Sequence, residues 1–251
     1  MYHLPSYYDI LNTPGTFEDL DLYEKIAHRF SIRPRRWLEP GCGTGRHLRV
    51  LGGRGYHAVG FDCDQNMLDY ARISLRRRGL SAQLFCAEMD NFSKRLRDAR
   101  FDIAINPHST IRHLLTERST ISHFHQIAAS LCPGGLYITG ISLARYGKDV
   151  TETDLWLSAR GRCHVRQEIK YTPPIRGQRI ENVSSLLTIT RPSGTQQHTD
   201  GYRLRTYSQK QWHSTLAKSG LDILAVLDEN GRDTGGRHLP YFLYVLTPKH
   251  T

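Results

Sequence analysis

Between Trp37 and Ser142 short apolar runs alternate with helical stretches, and this rhythm restricts the chain to very few folds. Strands are read at RWLEP (ending Pro40), YHAVGFD (Asp62), AQLFCAE (Glu88), FDIAIN (Asn106) and GLYITGIS (Ser142). Such alternation builds βαβ units and a parallel sheet. Thr44 opens a helix after the first strand, and Asp64 is placed to cap QNMLDYARISLRRR. The Arg76, Arg77 and Arg78 cations suit the negative end of that helix.

The flanks differ from this core. In FEDLDLYEKIAHRF, Phe17, Leu20, Ile26, Ala27 and Phe30 fall at helical spacing, and Thr16 with Asp19 resembles a capping box. Residues 1–34 are therefore read as an N-terminal helical cover. After Ser142 the period becomes two. CHVRQEIKY, RIENVSSLLTITR and the segment around YRLRTY read as antiparallel strands, with Ser193-Gly194 turning a hairpin, in an insertion spanning 143–207. A helix capped by Ser208 and stopped by Gly220 leads to a closing strand pair, LDILAVLDE and LPYFLYVLT, so that 35–142 and 208–251 form one core.

Composition bounds the function. With 251 residues, 39% of them hydrophobic, the chain can bury enough surface to fold unaided. No apolar run approaches the roughly 18 residues of a membrane span, and MYHLPSYYDI has no apolar signal core, so a soluble, cytoplasmic protein is expected. The five cysteines stand apart without a C-x-x-C pair, which suggests neither a zinc knuckle nor a disulfide framework. The formal charge of +10 rests on 27 Arg against 7 Lys, which suits an anionic partner or a solvated surface equally.

The most informative stretch is LEPGCGTGRHL, between a strand and a helix. Gly41, Gly43 and Gly45 let the backbone turn sharply and approach a ligand closely, while the helix behind directs free amides toward it. A dinucleotide site wants G-x-G-x-x-G, whereas this turn is G-x-G-x-G followed by Arg46. Glu39 would repel a pyrophosphate but suits a ligand carrying an amine or a sulfonium. Asp62, at the tip of the second strand, can accept hydrogen bonds from both hydroxyls of a ribose.

The combination LEPGCGTGR, VGFDCDQNML, AEMDNF, FDIAIN and LCPGGLYITG, in this order over about residues 35–142, resembles class I S-adenosylmethionine-dependent methyltransferases of the small-molecule type. The resemblance implies an α/β fold: a doubly wound, Rossmann-like sheet of seven strands, the last antiparallel, with helices on both faces. It implies S-adenosyl-L-methionine as cofactor and S-adenosyl-L-homocysteine as product. Carried over, Glu39, Gly41, Cys42, Gly43 and Gly45 would shape the pocket of the methionine moiety, and Asp62 would hold the ribose. Cys63 and Met67 match positions packing on adenine, and Glu88 and the backbone of Met89 match those reading its exocyclic amine. Asn106 matches the place where sulfonium and acceptor meet. Arg46 and His47 are placed to touch the cofactor carboxylate or to form an exposed helix start.

Methyl transfer to an activated carbon requires mainly alignment, but an acceptor hydroxyl or ammonium must lose a proton, for which histidine is suited. NPHSTIRHLL follows the fourth strand and offers His108 and His113 as bases, with Ser109 and Arg112 as acceptor contacts. Arg112 would grip an anionic acceptor or lock its loop to the sheet. NPHS departs from the [DN]-P-P-[YFW] motif of enzymes methylating planar nitrogens, which weighs against a nucleic-acid base. Tyr7 and Tyr8, with the antiparallel insertion, resemble small-molecule relatives. Arg160, Arg162, Arg166, Lys170, Arg203 and Arg205 alternate along the insertion and would make a basic entrance, a subunit interface or a solvated face. No metal centre is expected, since His123 and His125 point apart on one helix. Methyl transfer to nitrogen or oxygen of a small metabolite is the reading, in a monomer or a homodimer. An RNA methyltransferase and a catalytically silent cofactor sensor are its rivals.

Overall fold

The structure, a computed structural model, describes residues 3–97, 99–148, 150–175 and 177–249. The outer ends of the expected domains, residues 1 and 251, lie outside them. Two helices lead, α1 (Pro5–Asn12) and α2 (Thr16–Arg29). The core follows as β1 (Arg36–Pro40), α3 (Arg46–Gly53), β2 (His57–Asp62), α4 (Gln65–Arg76), β3 (Gln83–Cys86), α5 (Ser93–Leu96), β4 (Phe101–Asn106), α6 (Glu117–Ser130) and β5 (Leu131–Ile141). Four long strands come next, β6 (Glu152–Arg160), β7 (Cys163–Thr172), β8 (Ile180–Arg191) and β9 (Gly194–Arg205). The chain closes with α7 (Gln209–Ala217), β10 (Leu221–Leu227) and β11 (Phe242–Pro248).

The strands sort into a seven-stranded sheet of order β10-β11-β5-β4-β1-β2-β3 and a four-stranded antiparallel sheet of order β6-β7-β8-β9. In the first, β1 to β5 run parallel and β11 runs antiparallel to both its neighbours. One apolar cluster packs Leu20, Tyr23, Leu48, Leu51 and Leu68 on one face, and a second packs Phe124, Ile127, Trp212 and Leu216 on the other. Helices therefore cover both faces, as a largely parallel sheet requires. The chain moves outward in opposite directions from β1 and β4, which lie side by side. Their following loops diverge there and leave the crevice in which open α/β sheets bind ligands.

Local signals hold at several places. Asp64 caps α4 by accepting from the amides of Asn66 and Met67, and Ser208 with Gln211 forms a capping box on α7. Three expectations need correction. The capping box read at Thr16 and Asp19 does not form. Gly15, at φ 81°, precedes α2, and the Thr16 hydroxyl donates to the Thr13 carbonyl instead. Phe17, placed on the apolar face, is 62% exposed. The hairpin between β8 and β9 closes between Arg191 and Gly194, so its loop residues are Pro192 and Ser193.

The four-stranded sheet buries alternate residues. Val165, Leu187 and Ile189 pack against Ile10 and Leu11 of α1, which lies on this sheet. The directly opposed sets Asp154–Ile169–Ser185, Trp156–Gln167–Leu187 and Glu152–Tyr171–Val183–Tyr202 share that same face. Asp9 of α1, buried, ties the parts together: its carboxylate accepts from Arg49 of α3 at 2.6 Å, from Arg160 of β6 at 2.8 Å and from Tyr70 of α4 at 3.0 Å.

Candidate active site

At the tip of β1 the chain makes three successive left-handed glycines, Gly41 (φ 67°), Gly43 (φ 51°) and Gly45 (φ 69°), a run that side chains would strain. A Cβ on Gly41 would lie 2.9 Å from Thr110 Cγ2, so the turn is also sterically closed to larger residues there. Asp62 clasps this turn from the tip of β2. Its Oδ2 accepts from the Gly43 amide at 2.8 Å and its Oδ1 from the Asp64 amide at 2.9 Å. Burial raises the Asp62 carboxyl above its ordinary value, against the amides that stabilise its charge.

Around the turn lie Cys42, buried against Gly60 with its side chain in the core, and Met67, buried beside Gly43. Cys63 and Glu88 stand exposed at the tips beyond β2 and β3, and Cys86 Sγ lies 3.5 Å from the Cys63 carbonyl. The Met89 carbonyl already accepts from His123 Nδ1 at 2.8 Å, so the Met89 amide is the group it has left to offer. Asn106 is fully buried and donates to the Pro40 carbonyl at 2.8 Å. It thus braces the ends of β4 and β1 from below. Among the described residues, two buried oxygens at this edge, Glu39 Oε2 and Asn106 Oδ1, have no hydrogen-bond partner. A ligand rich in donors, such as an ammonium and ribose hydroxyls, fits such a pair of acceptors.

On the other side of the crevice a cavity of about 1170 Å³ opens between the strand tips and the four-stranded sheet. Tyr8 and Thr110 border both it and the glycine turn. The Tyr8 hydroxyl is pushed up to about 12, chiefly by burial, with the Asp62 and Glu39 charges adding and Arg46 opposing. His108, Ser109, Arg112 and His113 all line the cavity. Tyr7 does not: it packs against the Val165 and Ile189 cluster under the Arg191 guanidinium.

The loop after β4 holds two consecutive non-glycine residues at left-handed angles, His108 (φ 56°) and Ser109 (φ 58°). Such backbone costs of order 1–3 kcal/mol per residue and persists only where it is fastened. Three contacts fasten it. The His108 amide donates to Tyr241 Oη at 2.9 Å, the Ser142 amide donates to Ser109 Oγ at 2.9 Å, and Arg112 anchors the following 3-10 turn (Thr110–His113). Arg112 donates to the Arg205 carbonyl at 2.9 Å and pairs with Glu181 of β8, so its guanidinium locks the loop to the four-stranded sheet. Tyr241 in turn covers Gly140 of β5, where an added Cβ would lie 1.6 Å from its hydroxyl.

Of the three readings of the insertion's cations, the exposure of Arg166, Lys170 and Arg203 fits the solvated face rather than the basic entrance. Arg166 and Lys170 lie on the exposed face of β7, and Arg203 is likewise exposed, whereas Glu152, Asp154 and Glu181 line the cavity. The alternation of β-strands makes this separation: a one-residue offset sends a side chain to the opposite face. The cations on the cavity wall are Arg112, paired with Glu181, and Arg145.

Sequence spacing did not reveal a cluster joining α2, α3 and the β4 loop. Asp19 Oδ2 lies 3.0 Å from Arg46 Nη1, 3.4 Å from His47 Nε2 and 3.3 Å from His108 Nε2. His47 Nδ1 contacts Glu39 Oε1 at 2.6 Å. Burial opposes ionisation of Asp19, but His108, His47 and Arg46 together hold its carboxyl well below the usual range. Asp19, His47 and His108 have the donor types of a metal site. The Arg46 guanidinium contacts two of the three and supplies the cation there itself. His113 is driven down to about 4 by burial and by Arg112, and is neutral at physiological pH.

No protein of curated function matches the sequence at a significant level. A family profile described as a methyltransferase domain matches residues 38–135. Among solved structures, an S-adenosylmethionine-dependent methyltransferase from Clostridium acetobutylicum superposes with a TM-score of 0.77 at 16% identity, over 92% of this chain and 90% of its own. CalS10, an amino pentose methyltransferase from Micromonospora echinaspora, gives 0.72 at 19%, over 97% and 95%. The sugar N-methyltransferase KedS8 from a Streptoalloteichus species gives 0.73 at 16%, over 99% and 93%. At these identities the structural likeness establishes a shared fold, and the profile covers the glycine turn and the β4 loop that build the crevice. Residues 38–135 are thus similar to a methyltransferase domain, and the chain as a whole shares the fold of these S-adenosylmethionine-dependent and sugar methyltransferases.

Proposed function

We propose that this protein is an S-adenosylmethionine-dependent methyltransferase acting on an amine nitrogen, or a hydroxyl oxygen, of a small metabolite. The observation carrying this reading is the cavity at the topological switch point, bordered by the glycine turn through Tyr8 and Thr110 and lined by carboxylates on its far wall. Glu152, Asp154 and Glu181 favour an acceptor bearing an amine, in keeping with the amino pentose and sugar N-methyltransferases among the structural neighbours. Residues 35–142 and 208–251 would hold the cofactor, and the sheet within 143–207 would cover the acceptor.

Bound at the glycine turn, S-adenosylmethionine supplies a methyl group activated by its sulfonium. Gly41, Gly43 and Gly45 admit the methionine moiety, Glu39 and Asn106 offer unpartnered oxygens, and Asp62 presents its carboxylate to the ribose. Met67, Cys63, Glu88 and the Met89 amide would frame the adenine. Tyr8 separates the cofactor side from the cavity and excludes water between them. The acceptor's proton leaves to a histidine of the β4 loop, His108 or His113. Its freed lone pair would then be aligned with the methyl carbon that bound S-adenosylmethionine would supply, the carbon–sulfur electron pair leaving with sulfur.

The test is a pair of measurements. S-adenosylmethionine and S-adenosylhomocysteine should raise the melting temperature while nicotinamide dinucleotides leave it unchanged. Release of S-adenosylhomocysteine should then appear with members of an amino-sugar and small-amine panel. Binding without turnover on any acceptor would turn the reading toward a silent sensor. Retention of bulk RNA with a steep salt dependence would turn it toward nucleic acid.

A further inference from the structure

His108 Nε2 faces two partners with opposite demands. Arg46 Nη2 approaches it at 2.6 Å, and Asp19 Oδ2 at 3.3 Å. A guanidinium only donates hydrogen bonds and a carboxylate only accepts them. Nε2 therefore serves Arg46 as a bare lone pair, which puts the ring proton on Nδ1, or serves Asp19 as an N–H, which leaves the lone pair on Nδ1. In the structure the Arg46 contact is the shorter. Burial and the Arg46 charge lower His108 against the opposing pull of Asp19, and a ring carrying one proton must take one tautomer or the other.

We propose that His108 is a tautomer switch: Arg46 holds it in the Nδ1–H form, which cannot take a proton from an acceptor. Asp19 is the positioning residue that holds the Nε2–H form, leaving the Nδ1 lone pair of this cavity-lining ring as the base. This rests on the methyltransferase reading and deepens it.

The surroundings fit such a device. The charged and titratable groups facing His108 are Asp19 from α2, Arg46 and, behind Asp19, His47 from α3, and the Tyr241 hydroxyl ahead of β11. The His108 backbone is pinned by Tyr241, so the ring keeps its place while its proton changes sides. Asp19 is held in turn by His47, which is oriented by the buried Glu39. Arg46 follows Gly45 directly and is the cation next in line for an anion seated on the glycine turn. A ligand carboxylate there would draw the guanidinium off Nε2 and release the ring to Asp19. The base would thus be armed only when the cofactor is in place.

Nitrogen-15 spectra of histidine-labelled protein near neutral pH read the tautomer directly, with His108→Gln assigning the signals and S-adenosyl-L-homocysteine as the probe. In the ligand-free protein the proton should sit on Nδ1. Saturation with S-adenosylhomocysteine should exchange the two nitrogen signals, and Arg46→Met should show the exchanged pattern without ligand. In the bound state Asp19→Asn should demand about tenfold or more higher acidity before Nδ1 takes up a second proton. A ligand-free His108 already protonated on Nε2 would overturn the switch, as would signals that move neither on binding nor in Arg46→Met. Calorimetry on the same samples separates the two claims. If S-adenosylhomocysteine fails to bind, the proposed function falls and the comparison of wild type with Arg46→Met alone decides the switch. If it binds and His108 does not respond, the switch falls and the function stands.

Discussion

The inner strands β4 and β11 of the seven-stranded sheet are buried nearly throughout, whereas β7 and β8 of the four-stranded sheet bury every second residue. The first arrangement leaves no strand face for a ligand, so everything it offers a ligand is at its edge, in backbone turns such as Gly41 to Gly45. The second keeps one face of side chains for the cavity and can vary them without disturbing the other. On the proposed function, cofactor recognition by backbone and acceptor recognition by side chains would follow from that difference in burial.

The largest effect that would test this contrast is on the core. Ile105→Ala, at a fully buried position of β4, should cost about 2–5 kcal/mol of stability in urea unfolding. A smaller loss would mean that the central strands are less tightly packed than the structure shows. Asp62→Ala comes next. At about 100 times its dissociation constant the cofactor should stabilise the wild type by about 2.7 kcal/mol, or roughly 5–11 °C in melting temperature, and the variant should lose that shift while remaining folded. An unchanged shift would remove the ribose assignment.

Glu181→Gln, which breaks the pair with Arg112 between the sheets, should cost about 1–3 kcal/mol and leave the cofactor-induced shift in place. Its loss would show that the two sheets do not divide the work. The next effect is on pH. His123 is fully buried and His113 partly so, with values near 4 against an ordinary 6.5, so the unfolded chain binds protons that the folded one refuses. Their contribution is complete above pH 6.5 and declines as pH falls toward about 4, at no more than about 1.4 kcal/mol per pH unit for each group. His113→Asn should flatten the urea midpoint over that window. The smallest effect belongs to Leu157→Ser on β6, 67% exposed, which should change stability by about 0.5 kcal/mol or less.

Much of the core could be read from residues that act locally. Positive φ angles demand glycine at 41, 43 and 45, Asp64 caps its helix with its own side chain, and continuous apolar runs mark strands buried on both faces. The cover was harder. β6 carries no alternation because nearly all of it is exposed, so nothing in its sequence marks a strand, and within the helical cover α1 begins at Pro5 without a side-chain cap. The Asp19, Arg46, His47 and His108 cluster was also hidden, although the α3 and loop residues had each been singled out. Asp19 and His108 stand 89 residues apart, and only the packing of α2 over the strand tips brings them together. Thr16 and Asp19 imitate a capping box but serve Arg46 instead, a case of tertiary contact overriding a local pattern.

Gly140 lies in a β5 position where a residue has no reason to know about catalysis, yet its missing side chain is the socket that seats Tyr241, and Tyr241 sets the height of His108. Substitutions at 140 and at 241 are therefore sterically coupled. An alanine in the strand would tilt the phenol and unhook the histidine loop, unless a smaller residue stood at 241. Anyone reshaping this pocket for a bulkier acceptor would do well to treat the two as a single adjustable part.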